Sequence, residues 1–325
     1  MQQPLNVLTI ATGKKIYADM AANLARSFWL WNAESNINFY VATDQPQYLP
    51  DDVKHYIKII PVQPDEFGQG FSPKLHLDKL APIGKTLFID SDCLIYGNIE
   101  SIFEKFADRD VSVVGGYISS GEWFGNVASI CKKFDVKQIP KFNGGIYYIE
   151  KGGKATQVYT TARELEKQYD AIGFTRLRGR PNDEVLMALA MEINGQQPIP
   201  DDGSILAEFV NFQSGIKSDL LNGISELYNH PANPKYQENW RLTIARPTVV
   251  HFLGHHNQVI PYTKEVKQLK YLFENKWPPN MAKAITFVQV TLPFTISLFL
   301  KNTLRPIYRS IFGLRKIKKS ERIID

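Results

Sequence analysis

At 325 residues the chain has room for two average domains or one large α/β domain. Its 44% hydrophobic and 22% charged residues are those of an ordinary globular protein, which excludes a disordered chain, a collagen-like repeat and a disulfide scaffold. The net charge of +5 is uneven: residues 301–325 hold eight basic and two acidic side chains, a net +6, leaving the first 300 residues at −1. A near-neutral body speaks against nucleic acid as a partner and points the basic tail at an anionic surface, most simply a membrane leaflet.

Short apolar runs alternate with helical patterns through the first half, the signature of βαβ units. Residues 5–11 read as a strand. Residues 17–31 read as a helix with Met20, Leu24 and Phe28 on one stripe, and residues 38–42 and 56–61 as strands. Ser72 is placed to cap a short helix with Pro73 at its first position. Residues 86–89 form a buried strand with Asp90 at its carboxyl end, and Ser101-Ile102-Phe103-Glu104 has capping-box spacing. Residues 111–114 read as a strand, 115–140 as a long irregular loop around Trp123 and Phe124, and 144–149 as a strand. Val158, Ala162, Leu165 and Tyr169 share one helical face. Residues 183–191 form a nearly all-apolar helix, expected to be buried, and residues 248–252 a last strand.

Two further features bear on location. Cys93 and Cys131 are too few for a disulfide framework and fit a reducing compartment. Met1–Pro4 lacks a basic leader and the apolar run that follows is short, so no signal peptide is expected and the protein is read as cytoplasmic. Residues 285–300 carry no charge, but Thr286, Gln289, Thr291, Pro293, Thr295 and Ser297 interrupt them. A spanning helix wants about 20 mostly apolar residues, so this stretch is expected to kink at proline and to lie at the interface or re-enter. Beyond it, Leu304, Ile307, Tyr308, Ile311 and Phe312 recur at helical spacing among arginines and lysines. The domain reading is therefore a globular body over 1–280 and a basic amphipathic, membrane-associating tail over 281–325.

Open α/β sheets bind ligands at the carboxyl ends of their strands. Four groups stand there or at a helix start. Asp90-Ser91-Asp92 puts two carboxylates in one turn, where a hard divalent cation would relieve their repulsion; two solvated turn aspartates are the plainer alternative. His251, with Gly254 three residues on, offers an imidazole ligand and a backbone able to approach phosphate, or simply a strand-end histidine. Asn143-Gly144-Gly145 offers an amide and close backbone approach, or a turn. Asn182-Asp183-Glu184 caps the buried helix, and Asp183 would serve as a carboxylate if it faces a cavity.

In this order the segments resemble glycosyltransferase family 8, the retaining GT-A group that includes bacterial lipopolysaccharide galactosyl- and glucosyltransferases and glycogenin. The resemblance spans about residues 5–260. It rests on Ala11-Thr12-Gly13 with Tyr17, on Lys74 with Leu75 and Leu77, on Phe88-Ile89-Asp90-Ser91-Asp92 and on Phe142-Asn143-Gly144-Gly145. It continues through Asn182-Asp183-Glu184-Val185-Leu186 to His251-Phe252-Leu253-Gly254.

That resemblance implies a Rossmann-like GT-A fold, a mixed and mostly parallel sheet flanked by helices. It implies a UDP-sugar donor and Mn²⁺ (or Mg²⁺) held by Asp90, Asp92 and His251. Ala11 and Thr12 would meet the base. Lys74, Ser91, Gly144, Gly145 and Gly254 would surround the donor. Asp183 and Asn143 are the candidate catalytic groups. Where the family has a diphosphate-binding lysine this chain has Asn257, with His255 and His256 as nearby substitutes; where the family often has Asp-Gln-Asp it has Asn182-Asp183-Glu184. The expected function is retaining transfer of a hexose to a hydroxyl of a glycan or glycolipid acceptor, at the inner face of a membrane that the tail touches peripherally, with no nucleic acid involved. A sugar-nucleotide nucleotidyltransferase and an inactive membrane-attached scaffold of the same fold are the alternatives.

Overall fold

The computed structural model describes residues 3–313 apart from 213, 239 and 241. Arg315, Lys316, Lys318, Lys319 and Arg322 of the expected basic tail lie outside the described residues. In chain order the strands are Leu5–Ile10 (β1), Ile37–Thr43 (β2), Ile57–Pro61 (β3), Lys85–Ile89 (β4), Cys93–Ile95 (β5), Val111–Ser112 (β6), Val114–Ile118 (β7) and Ile139–Phe142 (β8). They continue with Ile146–Glu150 (β9), Ile199–Pro200 (β10), Leu206–Glu208 (β11), Gly215–Asp219 (β12), Ile224–Tyr228 (β13), Ile244–Ala245 (β14) and Val249–His251 (β15).

The central sheet runs β3-β2-β1-β4-β9-β6, with β3, β2, β1 and β4 parallel and β9 antiparallel to both β4 and β6. Its inner strands are apolar along their length because both faces are covered. On β4 the side chains alternate: Leu87 and Ile89 join a core with Val7, Phe39 and the helix Lys15–Asn32, while Phe88 joins a second core with Leu8, Tyr147 and the helices Gly153–Lys167 and Asp183–Ile193. The fold class is thus the expected one, a mixed and mostly parallel sheet between helices. The stripe Met20, Leu24 and Phe28 is buried, as is every residue from Val185 to Met191.

A second, three-stranded sheet, β11-β15-β5, sets the site. β5 follows β4 after only three residues and pairs antiparallel with β15, placing Cys93 opposite His251. The Asp90–Asp92 turn therefore bends toward a strand that begins more than 150 residues later. Arg26, fully buried, bonds Asp52 and Glu274 and so ties the helix Lys15–Asn32 to the end of the helix Tyr262–Phe273.

Several expectations need correction. Residues 111–114 are not one strand: Ser112 ends β6 in the central sheet and Val114 opens β7, which pairs with β8 and β10. Residues 115–140 are not an irregular loop, since they hold most of β7, the helix Val127–Lys133 and the start of β8. Ser101 caps nothing; the helix Glu100–Lys105 begins one residue earlier, after Ile99. Ser72 lies inside a 3₁₀ turn, Ser72–His76, and its hydroxyl donates to Glu166. Proline does not end the helix: Pro279–Thr286, a π turn over Phe287–Thr291 and Leu292–Phe312 follow one another without a non-helical residue, 34 residues in all. Pro293 lies inside this run, two residues after the π turn, a change of helical spacing of the kind that accommodates an interruption of the bond ladder. Far from short, the rod is long and apolar enough to cross a membrane, by length and composition.

Candidate active site

The carboxyl ends of β4 and β15 and the amino end of the helix Asp183–Ile193 meet around a cavity of about 900 Å³. The turn after β4 is closed by Cys93 N–H donating to the Asp90 carbonyl at 3.0 Å, and Phe252 N–H donates to the Asp92 carbonyl at 3.1 Å, pinning turn and strand together. His251 Nε2 then lies 3.0 Å from Asp92 Oδ1 and 3.8 Å from Asp90 Oδ2. Lys74 reaches in from the 3₁₀ turn, donating to Asp90 Oδ2 at 2.7 Å and to the Gly144 carbonyl at 2.9 Å, and stands 3.7 Å from Asp183 Oδ2.

Two acids are therefore compensated by two cations. Burial pushes the Asp90 carboxyl up against the pull of Lys74, while the His251 charge holds Asp92 below the usual carboxylate range despite its burial. For His251 burial works the other way, but Asp92 and Asp90 outweigh it and raise the imidazole to about 9. Lys74 is likewise desolvated, yet Asp183 and Asp90 hold its ammonium well above the usual range.

The Asn143-Gly144-Gly145 turn builds the opposite wall. Asn143 Oδ1 accepts from Gly145 N–H at 2.9 Å and lies 2.7 Å from His251 Nδ1, so that nitrogen is the protonated one and Nε2 faces the acids. Gly144 N–H donates to Glu184 Oε1 at 2.8 Å. A Cβ on Gly145 would stand 2.8 Å from both Asn143 Oδ1 and His251 Nδ1, so the turn tolerates no side chain there. Asn182 caps the helix through bonds from the N–H groups of Glu184 and Val185. Asp183, itself buried, faces the cavity, and its Oδ2 accepts from Tyr147 Oη at 2.6 Å.

Of the residues singled out from the sequence, Lys74, Asp90, Asp92, Asn143, Gly144, Asp183, His251 and Gly254 line this cavity. Gly145 lies just behind it, in contact with His251. Ala11, Thr12, Ser91 and Asn257 do not line it. Thr12 borders a small separate pocket with Ile10 and Phe67, and Asn257 Nδ2 points to Met20 Sδ at 3.4 Å. His256 packs edge-on against Phe209. Sequence reasoning missed Tyr147, which holds Asp183, and read Glu184 only as part of the helix cap, where burial raises its carboxyl to about 8. It also missed Glu208, paired in register with His251 and raised by burial. A periodic reading had a signal only for Glu208, an acid ending a short apolar strand.

Asp92, Cys93 and His251 bring ligand atoms within 4.8 Å of one another. Cys93 is nevertheless an unsuitable ligand, fully buried, off the cavity lining and with its thiol pushed well up by burial. On the cavity side Asp90 offers a carboxylate instead. Two carboxylates and one imidazole form a donor set that suits Mn²⁺ or Mg²⁺.

No family model matches the chain, and no curated protein does. Solved structures do. The bifunctional glycosyltransferase WbbM, in its apo form, is 10% identical over 84% of this chain and 51% of its own, with a TM-score of 0.50. The galactosyltransferase LgtC, in complex with donor and acceptor sugar analogs, is 14% identical over 77% and 87%, at 0.48. Mouse xyloside xylosyltransferase 1, in its apo form, is 13% identical over 79% and 100%, at 0.46. At these identities the likeness is one of fold, and the fold is the mixed α/β arrangement of the GT-A glycosyltransferases.

Proposed function

We propose that the chain is a divalent-metal-dependent, retaining glycosyltransferase of the family 8 kind. It moves a hexose from a UDP-sugar to a hydroxyl of a glycan carried on a lipid at the cytoplasmic face of a membrane. The observation that carries the reading is the convergence of Asp90, Asp92, His251, Lys74 and Asp183 on one cavity whose volume suits a nucleotide-sugar.

The chemistry divides among named atoms. Mn²⁺ or Mg²⁺, held by Asp90, Asp92 and His251, would neutralise the charge that gathers on the departing diphosphate. Asn143 fixes the His251 tautomer, so that Nε2 presents its lone pair to the cation once its proton is lost. Asn143 is thus a positioning residue whose amide NH₂ is left for a sugar hydroxyl. Lys74 holds a permanent positive charge on the diphosphate side. Asp183, which lines the cavity, would stabilise the positive charge that develops at the anomeric carbon. Its Oδ2 is already bonded to Tyr147 and close to Lys74, which favours an electrostatic role and same-face attack by the acceptor over a covalent glycosyl-aspartate. Two buried free thiols, Cys93 and Cys131, agree with a reducing compartment.

The test is hydrolysis and transfer of UDP-hexoses by the full chain. Wild type turns over only with added Mn²⁺ or Mg²⁺ and stops in chelator. Asp92→Asn, which keeps the side-chain shape, lowers kcat/KM by about a hundredfold or more. Full activity of Asp92→Asn in Mn²⁺ would remove the metal assignment. Nucleotide transfer from a nucleoside triphosphate to a sugar phosphate would replace the reading with a nucleotidyltransferase.

A further inference from the structure

The 34-residue rod Pro279–Phe312 is the largest described feature that the proposed chemistry leaves unused. Its base is docked: Ala282 and Thr286 are fully buried, and Tyr271 Oη donates to Gln289 Oε1. Beyond that, no residue of Leu292–Phe312 is buried. Phe294, Ile296, Leu298, Phe299 and Leu300 are each between 46% and 67% exposed. At about 100° per residue, taking Phe294 as zero, Phe299 lies near 140° and Leu300 near 240°. Apolar side chains therefore project on every side, where a helix lying on a surface needs a polar face. Of the few polar groups in the stretch, Thr295 returns its hydroxyl to the Thr291 carbonyl at 2.9 Å and so needs no solvent.

A helix apolar all round belongs in a protein core or in hydrocarbon, and its exposure excludes the core of this chain. A second copy would cover one stripe and leave the others in water. The cations begin where the stretch ends: Lys301, Arg305 and Arg309, at i, i+4 and i+8, share one stripe.

We propose that residues 292–300 are immersed on all sides in bilayer hydrocarbon, with Lys301, Arg305 and Arg309 held at headgroup level by snorkelling. This replaces the surface-lying, charge-held tail expected from the sequence with an inserted anchor held by apolar burial. It stands independently of the sugar-transfer reading, because nothing in it depends on the cavity.

Flotation of the full chain with vesicles of pure phosphatidylcholine in 1 M NaCl, where charges are screened within about 3 Å, separates the two. Immersion predicts that wild type stays bound and that replacing Lys301, Arg305 and Arg309 together with Gln changes partitioning less than about threefold. Phe294→Asp, Phe299→Asp and Leu300→Asp, on three faces, should each reduce it on the order of a hundredfold, with the melting temperature of the body unchanged. Release of wild type by salt, a requirement for anionic lipid, wild-type binding by any of the three Asp variants, or a soluble oligomer that ignores vesicles would each overturn it. UDP-sugar turnover measured on the same samples reports the other reading separately.

Discussion

The cavity rim and the C-terminal rod handle unfavourable surface in opposite ways. At the rim, charges that burial would penalise are set in pairs: Asp92 against His251, Asp90 against Lys74, and Asp183 against Tyr147 and Lys74. Each residue has partners from a different part of the chain, and glycine is needed where they crowd. Along the rod from Leu292 on, apolar residues that water would penalise are all left unburied by the described residues. The first pattern makes a site that single atoms can break, the second a surface that only its surroundings can satisfy.

That contrast makes single-atom changes at the rim the sharpest tests. Gly145→Ala has the largest expected effect of the three argued here. Its methyl would stand 2.8 Å from Asn143 Oδ1 and from His251 Nδ1, so the group that fixes the imidazole must shift. Metal affinity should fall about tenfold to a hundredfold, in line with losses on disturbing the partners of a ligating histidine. Titration of activity against Mn²⁺ measures it, with Gly152→Ala, where nothing lies within 4 Å of the new methyl, as the control. An unchanged Mn²⁺ requirement would show that the rim is less tightly set than its partners suggest. Tyr147→Phe comes next. It removes the 2.6 Å bond to Asp183 and leaves a buried carboxylate oxygen facing Lys74 alone. A loss of about 1–3 kcal/mol in stability is expected, with kcat reduced about tenfold and KM for the donor little changed. A larger effect on KM than on kcat would move Tyr147 from positioning Asp183 to binding.

Which features could be read in advance follows from the range of the interaction that makes them. Asp90 and His251 were legible because each ends a short apolar run, and sheet geometry sends such ends to one edge; Asp92 shares the turn that Asp90 opens. The buried helix Asp183–Ile193 was legible from local apolarity and its Asn182 cap. Tyr147 was not: it is one of two adjacent tyrosines on β9, and only the antiparallel pairing of Phe88 with Tyr147 sends it to the Asp183 side while Tyr148 stacks on Phe106. The helix Val127–Lys133 carries its signal in Val127, Ile130 and Cys131, but three buried residues in seven are too few to stand out beside Trp123, Phe124 and Gly125. The rod was misread because proline was taken for a break. Pro293, just after the π turn, and Pro306 are both carried inside the continuous helical run.

The smallest expected effect concerns Glu184, where the rim departs from strict pairing. Its carboxyl accepts from Gly144 N–H, but burial, seconded by Asp183, raises it to about 8, so the folded state keeps a proton that the unfolded chain, near 4.5, gives up. Between those two values the native state binds more protons, so this group's contribution to stability falls as pH rises from about 4.5 to about 8. Glu184→Gln keeps an oxygen for Gly144 N–H and has no proton to lose. Its melting temperature should therefore match wild type near pH 4.5 and exceed it by a few degrees at pH 8.5, with turnover at pH 7 within about twofold. Parallel melting curves for the two proteins across that range would mean that Glu184 is ionised in the fold. Lys74 or water would then be compensating it, and the charge balance of the cavity would have to be redrawn with a further acid beside Asp90, Asp92 and Asp183.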